Sequence, residues 1–202
     1  MKLYSSAYSY NSRRCRAVIT HLGLDVDIEE VDLGAGAHHQ ADFKAMNPNA
    51  KVPVLVDGDL VLWESLAILS YLSDVAGGAL KGSNAKEAAD IHRWSVWTVS
   101  RFNAASSVYL FENMVKPFFG LGEADADKLA QTAPEIEACY GILEAQLNAH
   151  DYLSSAGLSL ADFALYPTFE HAGYIQLPDW SAYPNLSAWV NRMKELPAFS
   201  AP

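Results

Sequence analysis

Residues 47–65, NPNAKVPVLVDGDLVLWES, hold the side chains whose types and spacing suit ligand chemistry. Glu64 and Ser65 fall where a helix is expected to begin. Free backbone N–H groups and the helix dipole make such a start an anion site. A serine hydroxyl there can donate to a carboxylate, and the Glu64 carboxylate can meet an amino group. Upstream stands Val52-Pro53, and a cis peptide at that step turns the Val52 backbone outward. Together these groups suit a peptide-like ligand bearing a carboxylate. Ser65 alone also reads as a plain cap, because serine is a preferred one. The neighbouring Val-Pro step tips the reading toward ligand binding.

The elements that must position these groups are legible around them. VPVLV and LVLW flank Asp57-Gly58-Asp59, and Asp-Gly between β-branched runs signals a β-hairpin. Neither run alternates with polar residues, which predicts strands covered on both faces. Pro53 opens the first strand, where a missing N–H is tolerated. Leu66, Leu69 and Leu72 follow helical spacing after the hairpin, and Ile68 widens the stripe. Before it, residues 2–4 read as a short strand and residues 5–11 as a polar loop. Ser12 is the expected cap of a helix that runs to about Leu22 and stops at Gly23. Residues 26–31 alternate as an edge-like strand with one wet face. A Gly/Ala loop then leads to a short helix over about residues 39–46. The pattern β-α-β-α-β-β-α results.

The Gly-rich stretch 76–84 is the best linker, and beyond it every strong segment is helical. A long helix is expected from Glu87 to about Lys116. Another spans about residues 124–149, with Ile136, Tyr140, Leu143 and Leu147 on one face and a break or new start near Pro134. Ser159-Leu160-Ala161-Asp162 reads as a capping box opening the next helix. A last helix starts near Tyr183-Pro184 and ends before Pro197.

Composition limits the function classes. The chain has 202 residues, half of them hydrophobic and 19% charged, with a net charge of −10. That is an ordinary globular composition with room for a core. The acidic balance argues against nucleic acid and anionic membrane partners, which want basic patches. No run of 18 apolar residues suggests a membrane span. The first ten residues lack the apolar region of a signal peptide. Cys15 and Cys139 are too few and too far apart for a disulfide framework, so a cytoplasmic, reducing setting is expected. Cys15 near the start of a helix could have a lowered pKa, but RCRAVI places it at a core position.

The phrase NPxxKVPVLxDGDxxLxES-AI resembles the glutathione-site signature of the cytosolic glutathione S-transferase family, and the resemblance extends over nearly the whole chain. It implies an α/β thioredoxin-like domain followed by an all-α domain. The expected division is 1–76 for the glutathione-binding domain, 77–86 for the linker and 87–202 for the helical domain. It also implies glutathione as co-substrate, a hydrophobic small-molecule electrophile, conjugation of the kind used in detoxification, no metal, and a homodimer. SLADFALYP is similar to the buried S/T-x-x-D box of the family's second domain, which is structural.

SYNSRRCR resembles the SxxSxRxR pattern of the serine-type classes, with zeta- and theta-like features of a bacterial type. That match puts the thiol-activating hydroxyl on Ser9. Matching the tyrosine-type classes instead puts it near Tyr8. The resemblance further implies that the Val52 backbone, held by Pro53, pairs with the cysteinyl backbone of glutathione. Glu64 and Ser65 take the γ-glutamyl end, and Lys51 and His38 approach the glycine carboxylate. The electrophile pocket is expected between the domains, with Tyr10, Asn11, Trp97 and Arg101 on its walls; Trp94, Phe102 and Tyr109 are further candidates. Aromatics at helical spacing are more often core. Alternative readings are a glutathione-dependent isomerase, weakened because SSCS of the zeta class is replaced by Ser9-Tyr10-Asn11-Ser12, and a disulfide reductase or peroxidase, weakened by the missing omega-type cysteine. The non-enzyme alternative is a glutathione-binding scaffold.

Overall fold

The computed structural model describes residues 1–200. Its contacts divide the chain into two compact units, one comprising residues 1–81 with the segment from Pro197, the other residues 82–196.

The first unit is built on a four-stranded mixed sheet of order β2-β1-β3-β4, with β1 Lys2–Ser5, β2 Asp27–Glu30, β3 Val54–Asp57 and β4 Leu60–Trp63. β1 runs parallel to β2 and antiparallel to β3, and β3 pairs antiparallel with β4. The parallel crossover carries α1 Tyr10–Leu22, and α2 Ala41–Met46 follows a 3₁₀ turn at Ala37–His39. α3 Ser65–Val75 leaves the hairpin directly, and the turn α11 Pro197–Ser200 packs on α1. This last contact differs from the expected grouping of 87–202 in one domain. Strand alternation puts Leu3 and Tyr4 on opposite faces. Tyr4 lies with the cluster of Val31, Phe43, Val52 and Val54. Leu3, Leu55, Cys15, Val18, Ile68 and Leu72 are fully buried, and α1 and α3 pack together.

Three details depart from expectation. β4 is covered on one face only: Val61 and Trp63 are exposed while Leu60 and Leu62 are half-buried. β2 has no dry face, since all four of its residues are exposed; an edge strand with neighbours on one side lacks the layer that would cover it. The α1 cap is Ser9, not Ser12, as described below. The hairpin closes on Gly58-Asp59, with Asp57 opposite Leu60 and a positive φ of 59° at Gly58 that suits glycine. Gly23 ends α1 in the left-handed conformation, where its N–H and that of Leu24 reach back into the last turn.

In the second unit α4 Ala85–Trp97, α5 Asn103–Leu110 and α6 Lys116–Phe118 form one helical run, interrupted by π turns at Thr98–Phe102 and Phe111–Val115. α7 Ala126–Leu147 passes through Pro134 without the expected break. A proline removes one helix hydrogen bond at about 3 kcal/mol. Pro134 is exposed, while Ile136, Cys139, Tyr140, Leu143 and Leu147 bury the opposite stripe, and that packing holds the helix through it. α8 Leu160–Glu170 is buried from Leu160 through Phe169, so it is the central helix of this unit. Around it stack Phe102 (5.3 Å from Phe169), Tyr140, Trp180 and Trp189. α9 Ala172–Ile175 and α10 Pro184–Lys194 complete the unit. No helix among the described residues is long and apolar enough to cross a membrane.

Candidate functional site

The site is assembled from three backbone turns of the first unit. The first is the loop 6–9 ahead of α1. Ser9 is the N-cap: its backbone is extended (φ −106°, ψ 114°), its carbonyl accepts from Arg13 N–H at 2.9 Å, and its Oγ accepts from Ser12 N–H at 3.3 Å. Ser12 instead sits one turn in, buried, with its Oγ accepting from Ser6 N–H at 3.2 Å. The expectation that Ser12 caps α1 is thus corrected, and the two serines brace the loop from both sides. A second brace comes from β2. Glu30 Oε1 accepts from Ala7 N–H at 2.8 Å while its other oxygen pairs with Arg16, whose Nε donates to Ser5 Oγ at 2.7 Å. Tyr8 points outward at 64% exposure.

An N-cap serine has one lone pair engaged by the helix and one O–H proton left to give. The α1 N-terminus adds a favourable field for negative charge in front of it. The Ser9 hydroxyl is therefore placed to donate to an anion at the mouth of α1.

The second turn is the loop 47–53. Asn47 is buried; its Nδ2 donates to the Lys51 carbonyl at 2.7 Å and its Oδ1 accepts from Asn49 N–H at 3.0 Å. This side chain shapes the approach to Val52-Pro53, whose peptide bond is cis. Val52 precedes the paired register of β3, so its backbone lies outside the sheet ladder. Lys51 is exposed.

The third turn is Glu64-Ser65. Glu64 caps α3 with φ 74° and ψ 114°, a region that non-glycine residues avoid. Holding it there costs on the order of 1–3 kcal/mol. Ser65, the first helical residue, is 6% exposed, and its Oγ lies 3.5 Å from Asn11 Oδ1 and 3.3 Å from Arg14 Nη1. The N-termini of α1 and α3 thus meet through Asn11, Arg14 and Ser65. Replacing Glu64 with glycine should relax the backbone. Strain relief of about 1–3 kcal/mol exceeds the glycine entropy penalty of about 0.5–1 kcal/mol. The urea midpoint is therefore expected to rise, by about 1 kcal/mol of stability; a fall would show that the φ value carries no strain.

The remaining expected residues are less tied to these turns. His38 lies in the 3₁₀ turn with its ring 3.9 Å from that of His39. Burial first, then His39 and Lys44, push its pKa below the ordinary histidine value, so it is mostly neutral at pH 7 and a weak partner for a carboxylate. Tyr10 is 7% exposed with its ring 5.3 Å from the Arg14 guanidinium, which makes it a packing residue. Asn11 is half-buried and hydrogen-bonded to Arg14 at 2.5 Å. Trp94, Phe102 and Tyr109 are buried core, Trp97 is half-buried beside Trp94 and Phe102, and Arg101 is exposed in an ion pair with Glu135 at 2.9 Å. Cys15 is fully buried and burial pushes its thiol pKa up, so it fills the core and has no nucleophilic role. Sequence reasoning missed Arg14, Asn47 and Glu30. Arg14 and Asn47 lie inside the quoted motifs, but their partners are set by the fold.

Two family models match the chain: glutathione S-transferase, N-terminal domain, over residues 1–74, and glutathione S-transferase, C-terminal domain, over residues 102–197. Glutathione S-transferase 3 of Zea mays is 35% identical over 98% of this chain and 91% of its own length. Among solved structures, glutathione transferase F7 from Populus trichocarpa has 31% identity and a TM-score of 0.89, covering 98% of this chain and 95% of that one. A glutathione S-transferase-I structure bound with lactoylglutathione has 30% identity and a TM-score of 0.87, covering 98% and 96%. The hairpin, the cis Val52-Pro53 step, the capped α1 and the helical second unit therefore belong to a member of the cytosolic glutathione S-transferase family.

Proposed function

We propose that this glutathione S-transferase activates the thiol of glutathione with Ser9 and transfers it to a hydrophobic electrophile. The observation that carries this reading is the Ser9 N-cap, whose oxygen accepts from Ser12 N–H and whose proton remains to be donated. A free thiol has a pKa of about 8.5, so only a few per cent is thiolate at pH 7. Lowering it by two units takes about 2.7 kcal/mol. One hydrogen bond to a charged group gives about 1.5–3 kcal/mol and a helix N-terminus about 0.3–1 kcal/mol. Ser9 at the start of α1 supplies both.

In this reading Val52, displayed by Pro53, pairs with the cysteinyl backbone. Glu64 meets the γ-glutamyl amino group and Ser65 its carboxylate. Lys51 approaches the glycine carboxylate, and His38 contributes there as a neutral donor at most. Tyr10 and Asn11 act behind the site as packing and hydrogen-bonding groups, which leaves Trp97 and Arg101 as candidates for electrophile contact. The protein acts in the cytoplasm as a homodimer. Retention on glutathione-agarose, together with conjugation of chloro-dinitrobenzene, tests the reading. Binding without thiol transfer would favour a scaffold, and failure to bind would remove the glutathione site altogether. Size-exclusion chromatography with light scattering reads the oligomeric state.

A further inference from the structure

One buried cation is not used by the mechanism above. Arg14 is 1% exposed, and its guanidinium lies under the Tyr10 ring. Its Nη1 donates to Asn11 Oδ1 at 2.5 Å and to Ser65 Oγ at 3.3 Å. Burial lowers its pKa to about 10, so it remains charged at neutral pH. Removing a guanidinium from water is expensive, and an apolar side chain of similar length would pack without that penalty.

These acceptors say what the charge does at the start of α3. Arginine has only donors, whereas a serine hydroxyl has one proton and two lone pairs. Donation from Arg14 takes one lone pair of the Ser65 oxygen and so restricts where its O–H can point. The Ser65 hydroxyl donates to Asn11 Oδ1, but only at 3.5 Å, and that oxygen also takes the shorter bond from Arg14. A carboxylate at the start of α3 is a stronger acceptor than this long amide contact and would take the Ser65 proton in its place. We propose that Arg14 is a positioning residue that fixes the Ser65 hydroxyl as a donor to the γ-glutamyl carboxylate of glutathione and ties the starts of α1 and α3 at one spacing. This inference rests on the glutathione reading of the site.

Its test is a double-mutant cycle on Arg14→Met and Ser65→Ala, with Arg14→Lys as the charge-conserving variant. Calorimetric Kd values are measured for glutathione and for 4-aminobutyryl-Cys-Gly, which keeps the amino group but lacks the γ-glutamyl carboxylate. Arg14→Met is expected to weaken glutathione binding about tenfold or more, as loss of a charge-assisted contact does. Arg14→Lys should recover part of the loss. In the Ser65→Ala background the Arg14→Met effect should shrink to about twofold, because the hydroxyl it orients is gone. Binding of the decarboxylated analogue should be nearly unchanged by Arg14→Met. Additive effects, or equal losses for both ligands, would overturn the inference and leave a purely structural arginine. If Arg14→Met does not fold, the same comparison with Arg14→Lys decides, since a lysine keeps the charge but lacks the planar fork that spans Asn11 and Ser65. Wild-type protein that fails to bind glutathione would instead overturn the underlying site reading.

Discussion

Asp162→Ala is expected to unfold the helical unit or bring it close to unfolding. The Asp162 carboxylate is fully buried and accepts four hydrogen bonds: Ser159 N–H and Ser159 Oγ–H at 3.0 Å each, Leu153 N–H at 3.0 Å and Trp189 Nε1–H at 2.9 Å. Three of these donors are N–H groups with no alternative role. Burial raises the Asp162 pKa, and the four donors act against that rise. Alanine leaves three N–H groups inside the protein without an acceptor. Each costs about 1–3 kcal/mol, which makes a loss of roughly 3–5 kcal/mol or more. An ordinary exposed cap is worth only about 1 kcal/mol. Domain stabilities are about 5–15 kcal/mol, so the loss is a large part of the total. Urea unfolding followed by tryptophan fluorescence measures it, with Trp189 itself fully buried. Asp162→Asn keeps one acceptor oxygen and should fall in between. A midpoint shift worth only about 1 kcal/mol would mean that the box is a cap and not a junction.

The capping box illustrates what sequence can and cannot carry. Ser159 and Asp162 stand three apart, and that spacing alone predicts the local bonds. The bonds to Leu153 and Trp189 join three chain segments and have no local signature. The same division runs through the first unit. Asp57-Gly58, Gly23 and the leucine spacing of α3 were legible because turn chemistry and period are local. The choice between Ser9 and Ser12 as the α1 cap was not. Both are good caps, and the decision rests on Glu30 and Ser12 holding residues 6 and 7, which sets where the chain first turns helical. Pro134 was overread because packing of the opposite stripe of α7 outweighs one missing hydrogen bond. β4 was overread because apolar composition does not show how far a layer extends; Val61 and Trp63 lie beyond it.

In the candidate site, the motif named the groups proposed to meet glutathione, while the residues behind them stayed hidden. Ser65 was legible as a helix-start hydroxyl, yet its bond from Arg14, 51 positions away in sequence, was not. The positive φ of Glu64 had no signal at all, since glutamate is not a residue that favours it.

Ser9→Ala is expected to lower kcat/KM at pH 7 by about 10- to 100-fold, the range set by a 1.5–3 kcal/mol hydrogen bond to the thiolate. Glutathione affinity should change little, because the proposed peptide contacts are at Val52, Glu64 and Ser65. The pH profile separates this role from a general loss of structure. In the wild type the rate should rise with a thiol pKa near 6.5, and in the variant with one near the free value of about 8.5. Above about pH 9 glutathione ionises unaided, so the two rates should converge. Alanine also removes a cap, at about 0.5–2 kcal/mol of stability, whereas glycine at an N-cap costs only a few tenths. Ser9→Gly should therefore be nearly as stable as wild type and as slow as Ser9→Ala, and Ser9→Thr should retain both the cap and much of the rate. Tyr8→Phe is the complementary control, and with Tyr8 64% exposed it should leave the profile unmoved. Were the pKa shift to follow Tyr8→Phe and not Ser9→Gly, the activating hydroxyl would be the tyrosine, and the α1 cap would be a structural feature of the loop and nothing more.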